Sequence, residues 1–139
     1  RLFGFDPKVA FLSHSTFGKP ISKNTKHVRD AIEKLKKEKV DFDFDGEMQP
    51  DVALNPIYQD IYPFSKIVGK ANILIMPALH SAAISTKLMK VFGGGKLIGP
   101  LLIGLGLPIE VAPLRASTSE ILNLASIASF SSDVIDYSN

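Results

Sequence analysis

Apolar and polar residues recur along the chain at two different periods, and each change of period marks an element. Residues 8–13 (KVAFLS) form a short apolar run that ends in Ser/Gly-rich punctuation, as a buried parallel strand does. Residues 14–22 read as a loop. In residues 24–39 (NTKHVRDAIEKLKKEK), Val28, Ala31, Ile32 and Leu35 follow the 3, 1, 3 spacing of one helical face, with lysines on the other. Residues 40–48 (VDFDFDGEM) set Val40, Phe42 and Phe44 against Asp41, Asp43 and Asp45, the period of two that belongs to a strand. Residues 51–54 start a short helix that Pro56 interrupts.

The second half repeats the alternation. Residues 71–79 (ANILIMPAL) predict a strand, and 81–92 a helix with Ala82, Ile84, Leu88 and Val91 or Phe92 facing inward. Gly93, Gly94 and Gly95 stop that helix. Residues 96–105 and 109–112 are strand candidates. Residues 117–130 predict a helix, opened by Ser117 as N-cap with Glu120 three positions on, a capping-box pattern. Residues from Ser131 read as a frayed tail. Strands separated by helices give an α/β fold class, a parallel sheet in a three-layer lobe with helices on both faces. Ligands of such sheets bind beyond the carboxyl ends of the strands, so the loops that matter are 13–19, 45–51, 77–81 and 99–106. No internal repeat or low-complexity segment interrupts the pattern.

Composition narrows this further. At 139 residues and 45% apolar the chain has material for one core, and with 0 Cys it has no disulfide, thiolate nucleophile or Cys-based metal site. A secreted disulfide scaffold is excluded, and a reducing cytoplasm is permitted. The apolar stretch 97–107 is broken by Gly99, Pro100, Gly104 and Gly106 and falls far short of the ~20 residues that span a bilayer, so no membrane partner is expected. Arg1 rather than Met opens the sequence, without a signal peptide, and the expectation is a piece of a longer chain. Charge is uneven: residues 1–39 carry 10 basic and 4 acidic side chains, residues 40–70 carry 2 and 6, and the remainder 4 and 4. The basic helix is a solvated face or a patch for an anion. Nucleic acid is not the expected partner, because no aromatic residues interleave with the lysines and the net charge is only +2.

Few motifs carry chemistry by themselves. The loop SHSTFG follows a strand, and its Ser13, Ser15, Thr16 and Gly18 could hold an anion through hydroxyls and backbone N–H groups or simply satisfy one another. G-x-x-x-x-G-K-[ST] is absent, and Gly104 with Gly106 makes G-x-G only. Asp41, Asp43, Asp45 and Glu47 would share one side of a strand; Asp41 and Asp43 are expected in solvent, while Asp45 and Glu47, at the strand end beside Gly46, are ligand candidates. No glutamate stands where an EF-hand loop needs one. His14, His27 and His80 form no metal-ligand pair, although His14 and His80 both follow strand ends. A Ser13–His80–Asp45 triad can be written down, but only geometry decides it.

Five segments together resemble the phosphate acetyl/butyryltransferase family: PKVAFLSHSTFG, DGEMQPDVALN, GKANILIMPALHSAAISTKLMKVFGG, GPLLIGLGLPI and EILNLASIA. They keep the family's order and spacing over nearly the whole chain. VALN after DGEM, and the S-x-S-x-F-G loop, are most similar to the phosphotransacetylase-like C-terminal domain of large bacterial NADP-dependent malic enzymes. The resemblance implies one lobe of a two-lobe domain, related to the isocitrate/isopropylmalate dehydrogenase-like fold. Residues 1–139 would be the second lobe with the returning C-terminal helix, and the partners would include the first lobe and the malic-enzyme part of the same chain. It also implies cytoplasmic location, homo-oligomers, and acetyl-CoA or a related CoA ligand as effector. No cofactor is implied for this piece; NADP and a divalent metal are implied for the parent.

The departures from the family pattern bear on activity. In the family's D-L-S-R-G segment, Pro113 stands for the serine and Leu114 for the arginine, with Arg115 one place late. Val91 falls on a second family arginine, beside Lys90, and Phe17 on the lysine of the S-T-K-G loop; Glu120 keeps the acidic character of a family aspartate. Losing one fixed donor to developing charge costs about 2.7–4 kcal/mol of transition-state stabilisation, so the expected catalytic set is empty. Ligand-binding candidates are then Ser13, Ser15, Thr16, Gly18, Asp45, Glu47, Lys90, Gly99, Pro100, Arg115 and Glu120. The alternative is an active phosphate acetyltransferase whose anion site is rebuilt from Arg115, Lys90 and the SHSTFG loop. A third is an interaction domain that binds no small molecule.

Overall fold

A computed structural model describes residues 3–136. Its elements are β1 (Lys8–Leu12), α1 (Lys26–Leu35), β2 (Asp43–Met48), α2 (Pro50–Leu54), β3 (Ile73–Ile75), α3 (Leu79–Phe92) and α4 (Thr118–Asp136), with 3-10 turns at Lys23–Thr25 and Pro56–Gln59. The chain divides into two compact units, Phe3–Lys87 and Leu88 onward, the boundary falling inside α3.

The first unit is built on a parallel sheet of order β2-β1-β3. The alternation of β1 decides its two faces. Val9 and Phe11 pack with Val28 and Ile32 of α1 and with Phe44, while Ala10 and Leu12 pack with Met48, Ala53, Ile67 and Ala71. The apolar stripe of α1 therefore buries Val28 and Ile32 as its spacing predicts, and Ala31 stays exposed. Phe44 and Met48 are four apart yet lie on opposite faces. The cause is a register shift: Phe11 pairs with Gly46 and Leu12 with Met48, so Glu47 is an extra residue in β2, and one extra residue inverts the faces that follow.

Several expectations need correction. The sheet strand of 40–48 begins only at Asp43, and that of 71–79 is confined to Ile73–Ile75. Residues 96–105 and 109–112 form no strand; glycine and proline at 99, 100, 104, 106 and 108 interrupt any pairing. The expected inward face of α3 is not buried: Ile84, Leu88, Val91 and Phe92 are all at least half exposed. The tail beyond Ser131 is not frayed up to Asp136, because α4 continues to that residue. Among the described residues no helix is long and apolar enough to cross a membrane.

Candidate functional site

In a 2-1-3 sheet the chain leaves β1 for one neighbour and later returns to the other side, so the switch point lies between β1 and β3. A cleft of about 430 Å³ opens there. Leu12, Ser13 and His14 reach it from the end of β1, Met76 and Pro77 from beyond β3, Ser81 and Ser85 from α3, Val28 from α1, with Thr25 and Pro50. None of these is Lys, Arg, Asp or Glu.

The loop after β1 is held by its own hydroxyls and by the end of β2. Ser13 N–H donates to the Met48 carbonyl at 2.9 Å, Phe17 N–H to the Glu47 carbonyl at 2.7 Å, and Gln49 N–H to Thr16 Oγ1 at 3.1 Å. Thr16 and Lys19 exchange both backbone hydrogen bonds around a tight turn in which Phe17 and Gly18 have φ of 47° and 82°. A bulky residue there is uncommon. Phe17 is compensated by ring contacts with Tyr62 and Phe64, at centroid distances of 5.4 and 4.8 Å.

Beneath that loop lies a buried polar chain. Ser13 Oγ contacts Ser15 Oγ at 3.2 Å, and Ser15 Oγ donates to Glu47 Oε1 at 2.7 Å. Arg29 Nη1 donates to the same oxygen at 2.9 Å and to Thr25 Oγ1 at 2.5 Å, while its Nη2 donates to the Ser22 carbonyl. Ser15 is fully buried, Glu47 is 1% exposed, and Glu47 Oε2 has no hydrogen-bond partner among the described residues. The extra residue in β2 explains why Glu47 meets Arg29 on the α1 face rather than sharing a side with Asp41 and Asp43. Asp45 is a structural clamp instead: Oδ1 accepts from Gly46 N–H and Oδ2 from Lys66 N–H at 2.7 Å. Both its oxygens serve main-chain donors, and His80 is exposed, so the Ser13–His80–Asp45 triad is not formed.

On the far side of this chain Phe17, Gly18, Arg29, Lys36 and Glu47 line a second cleft of about 250 Å³ together with Glu33. Lys36 donates to Glu33 at 2.7 Å and holds that carboxyl below its ordinary range. Sequence reasoning missed Arg29, treating it as part of a solvated basic face. Its available signal was position: it is one residue after buried Val28 and four after Thr25.

In the second unit a cleft of about 370 Å³ is lined by Lys90, Lys96, Ser117, Ser119, Glu120 and neighbours. Glu120 forms the expected capping box, accepting from Ser117 N–H at 2.8 Å and Ser117 Oγ at 2.9 Å, and Lys90 Nζ lies 3.4 Å away. The Ser117 backbone and hydroxyl, then Lys90, lower its pKa below the ordinary glutamate value. Gly99 and Pro113 line a small void of about 20 Å³ beside Glu120; Pro100, Leu114 and Arg115 are exposed and lie outside both spaces. Among the described residues no group of three His, Cys, Asp or Glu side chains is placed to hold a metal ion.

Comparison with known proteins fixes the lineage. The phosphate acetyl/butaryl transferase model matches residues 1–129. The chain belongs to that family. It is 46% identical over 130 residues to an NADP-dependent malic enzyme of Rhizobium meliloti, covering 94% of this chain and 17% of that protein. It is 38% identical over 132 residues to a phosphate acetyltransferase of Staphylococcus epidermidis, covering 90% of this chain and 40% of that one. The chain thus spans well under half the length of the curated relatives it matches. Among solved structures, a phosphotransacetylase from Streptococcus pyogenes superposes with a TM-score of 0.86 at 35% identity, over 94% of this chain and 40% of that one.

Proposed function

We propose that residues 1–139 are the second lobe and returning C-terminal helix of a two-lobe, dehydrogenase-like transferase domain in a cytoplasmic NADP-dependent malic enzyme. In this reading the domain transfers no acyl group; it binds acetyl-CoA, helps to hold copies of the enzyme together, and regulates a parent that oxidatively decarboxylates malate to pyruvate. NADP and the divalent metal then belong to the part of the parent outside this chain.

One observation carries the non-catalytic reading. At the family position of an arginine stands Leu114, its side chain wholly in solvent, and its neighbour Pro113 takes the place of the serine. Lys90, next in sequence to Val91, is already paired with Glu120. A reaction on phosphate needs cations fixed where charge develops, and a solvated leucine supplies none. Self-association is supported by the apolar surface of the second unit, where Ile103, Leu107, Ile121 and Leu122 are each half exposed or more.

The test is made on the full-length protein that carries this sequence. The expected result is no acetyl-CoA formed from acetyl phosphate and CoA, with malate decarboxylation shifted by added acetyl-CoA. Such a shift is a coupling free energy, typically about 1–3 kcal/mol, and malate-side ligands must alter acetyl-CoA affinity by the same factor. Acetyl transfer above background overturns this reading in favour of an active phosphate acetyltransferase.

A further inference from the structure

The hydrogen bonds at Glu47 are lopsided. Its Oε1 accepts from Ser15 Oγ at 2.7 Å and from Arg29 Nη1 at 2.9 Å, while Oε2 has no hydrogen-bond partner among the described residues. The Glu47 side chain is wholly buried, so bulk water does not reach that oxygen. A carboxylate oxygen so placed carries its desolvation cost with no bond in return. Arg29 is the neighbour able to fill it, because a guanidinium fork matches both oxygens of one carboxylate. Instead Nη1 also donates to Thr25 Oγ1 at 2.5 Å, and Nη2 donates to the Ser22 carbonyl at 3.1 Å. Both of these acceptors belong to the turn that precedes α1.

We propose that Arg29 is a latch with two seats, and that its seat decides whether the Ser22–Thr25 turn is tied to the sheet. In the seat seen here, one guanidinium joins that turn to Glu47 of β2. In the second seat the fork closes on both oxygens of Glu47, and the turn is released. The exchange leaves no buried acceptor empty. Thr25 Oγ1 donates to the Ser22 carbonyl at 3.0 Å independently of Arg29, so both atoms keep a partner, and Oε2 gains one. The Arg29 side chain is 36% exposed, which gives its freed N–H groups access to water. Burial does not anchor the approach to the turn: Pro20, Ile21 and Lys23 are exposed, Ile21 at 92%. Thr25 is also one of the residues lining the 430 Å³ cleft, so the latch acts on a wall of that space. Two arrangements with comparable bonding form a bistable element, and whatever bears on the turn shifts the balance between them.

The experiment is hydrogen exchange read by mass spectrometry on the full-length protein that carries this sequence. Two segments are compared: the Ser22–Thr25 turn with the first turn of α1, and strand β2. Thr25→Val keeps the side chain's shape and removes the hydroxyl, which empties the first seat. The turn should then exchange about 3- to 10-fold faster, the worth of one hydrogen bond. Strand β2 should exchange roughly 2- to 5-fold more slowly, because Oε2 now receives the guanidinium. A merely structural hydrogen bond, once lost, would leave β2 unchanged or loosen it. Arg29→Lys supplies a point charge that cannot fork, so both segments should exchange faster than in the wild type. On that background Thr25→Val should no longer slow β2. Exchange of β2 that is unchanged or faster in Thr25→Val overturns the second seat. A turn unaffected by either single variant overturns the first. Equal slowing of β2 by Thr25→Val with arginine or lysine at position 29 removes Arg29 from the device.

Discussion

Arg29 Nη1 lies 2.9 Å from Glu47 Oε1, joining helix α1 to the extra residue of strand β2. The two partners are unequal: the Glu47 side chain is wholly buried, whereas that of Arg29 is 36% exposed. Removing them should therefore have unequal cost. Arg29→Ala leaves a carboxylate in the interior with Oε2 already unpartnered, a situation that costs about 3–5 kcal/mol. Glu47→Gln keeps the volume and lets Arg29 turn toward water, for about 1–3 kcal/mol. Hydrogen exchange of the β1 and β2 amides in the full-length protein measures the local opening free energy. Faster exchange in Glu47→Gln than in Arg29→Ala would contradict this account.

The turn into that bulge depends on the absence of a side chain. Gly46 has φ of 143°, and a Cβ built there would stand 2.6 Å from the Phe11 carbonyl oxygen and 3.0 Å from Phe11 Cβ. The obstacle is backbone of the central strand, which cannot move aside. Gly46→Ala combines left-handed strain with overpacking and should destabilise the first unit by roughly 2–4 kcal/mol. The measurement is again amide exchange in β1, with Gly18→Ala as comparison: a Cβ there meets nothing within 4 Å, so that variant carries only the backbone strain at φ of 82°. Equal effects from the two substitutions would rule out the steric part of the argument.

Much of this was legible in the sequence, and the failures have identifiable causes. The period-two run of 40–48 announces a strand, although only its part from Asp43 on is one, and the Val28/Ile32 spacing announces the face of α1; both reflect local pattern. The separation of Glu47 from Asp41 and Asp43 was not legible, because alternation presumes an unbroken register and the shift between Phe11 and Leu12 breaks it. Arg29 looked like one more charge on a basic helix, and only the three-dimensional approach of β2 gives it a partner. Residues 96–105 have the apolar content of a strand, but strand formation needs a neighbour to pair with, and glycine and proline at 99, 100 and 104 set the local conformation instead. The SHSTFG loop was legible as a polar cluster at a strand end, but that Ser15 bonds to Glu47 and Thr16 to the Gln49 N–H depends on the approach of β2 and was not.

The capping box of α4 gives a pH dependence whose sign follows from its cause. Ser117 N–H and the Ser117 hydroxyl, then Lys90, hold the Glu120 pKa below the ordinary glutamate value of 4.5. A depressed folded-state pKa means the stabilisation is fully present above the unfolded value and disappears as pH falls through the lower folded one. The first turn of α4 should therefore loosen below pH 4.5 and not above it. NMR titration should place the Glu120 midpoint under 4.5, and Glu120→Gln should remove the pH-dependent part of the fraying of the Ser117–Ile121 turn. A midpoint above 4.5 would show that burial, the one opposing influence, outweighs the hydrogen bonds.

Restoring acyl transfer should require more than the two most obvious residues. Pro113→Ser with Leu114→Arg returns a hydroxyl and a cation together, and space is available: Leu114 is fully exposed, and Pro113 borders the small void beside Glu120. The full-length double variant should nevertheless show no measurable acetyl transfer between acetyl phosphate and CoA. On the proposed reading Val91, 75% exposed, and Phe17 stand in for an arginine and a lysine of the family pattern. Groups that act as a unit on a transition state are grossly non-additive, so a partial set returns little. Activity should appear only after Val91→Arg and Phe17→Lys are added, even though the latter gives up the ring contacts with Tyr62 and Phe64. Turnover in the double variant alone would mean that the remaining anion site is intact. Arg115 would then be the first candidate to stand in for the lost arginine, and Arg115→Ala in that background should extinguish the rescue.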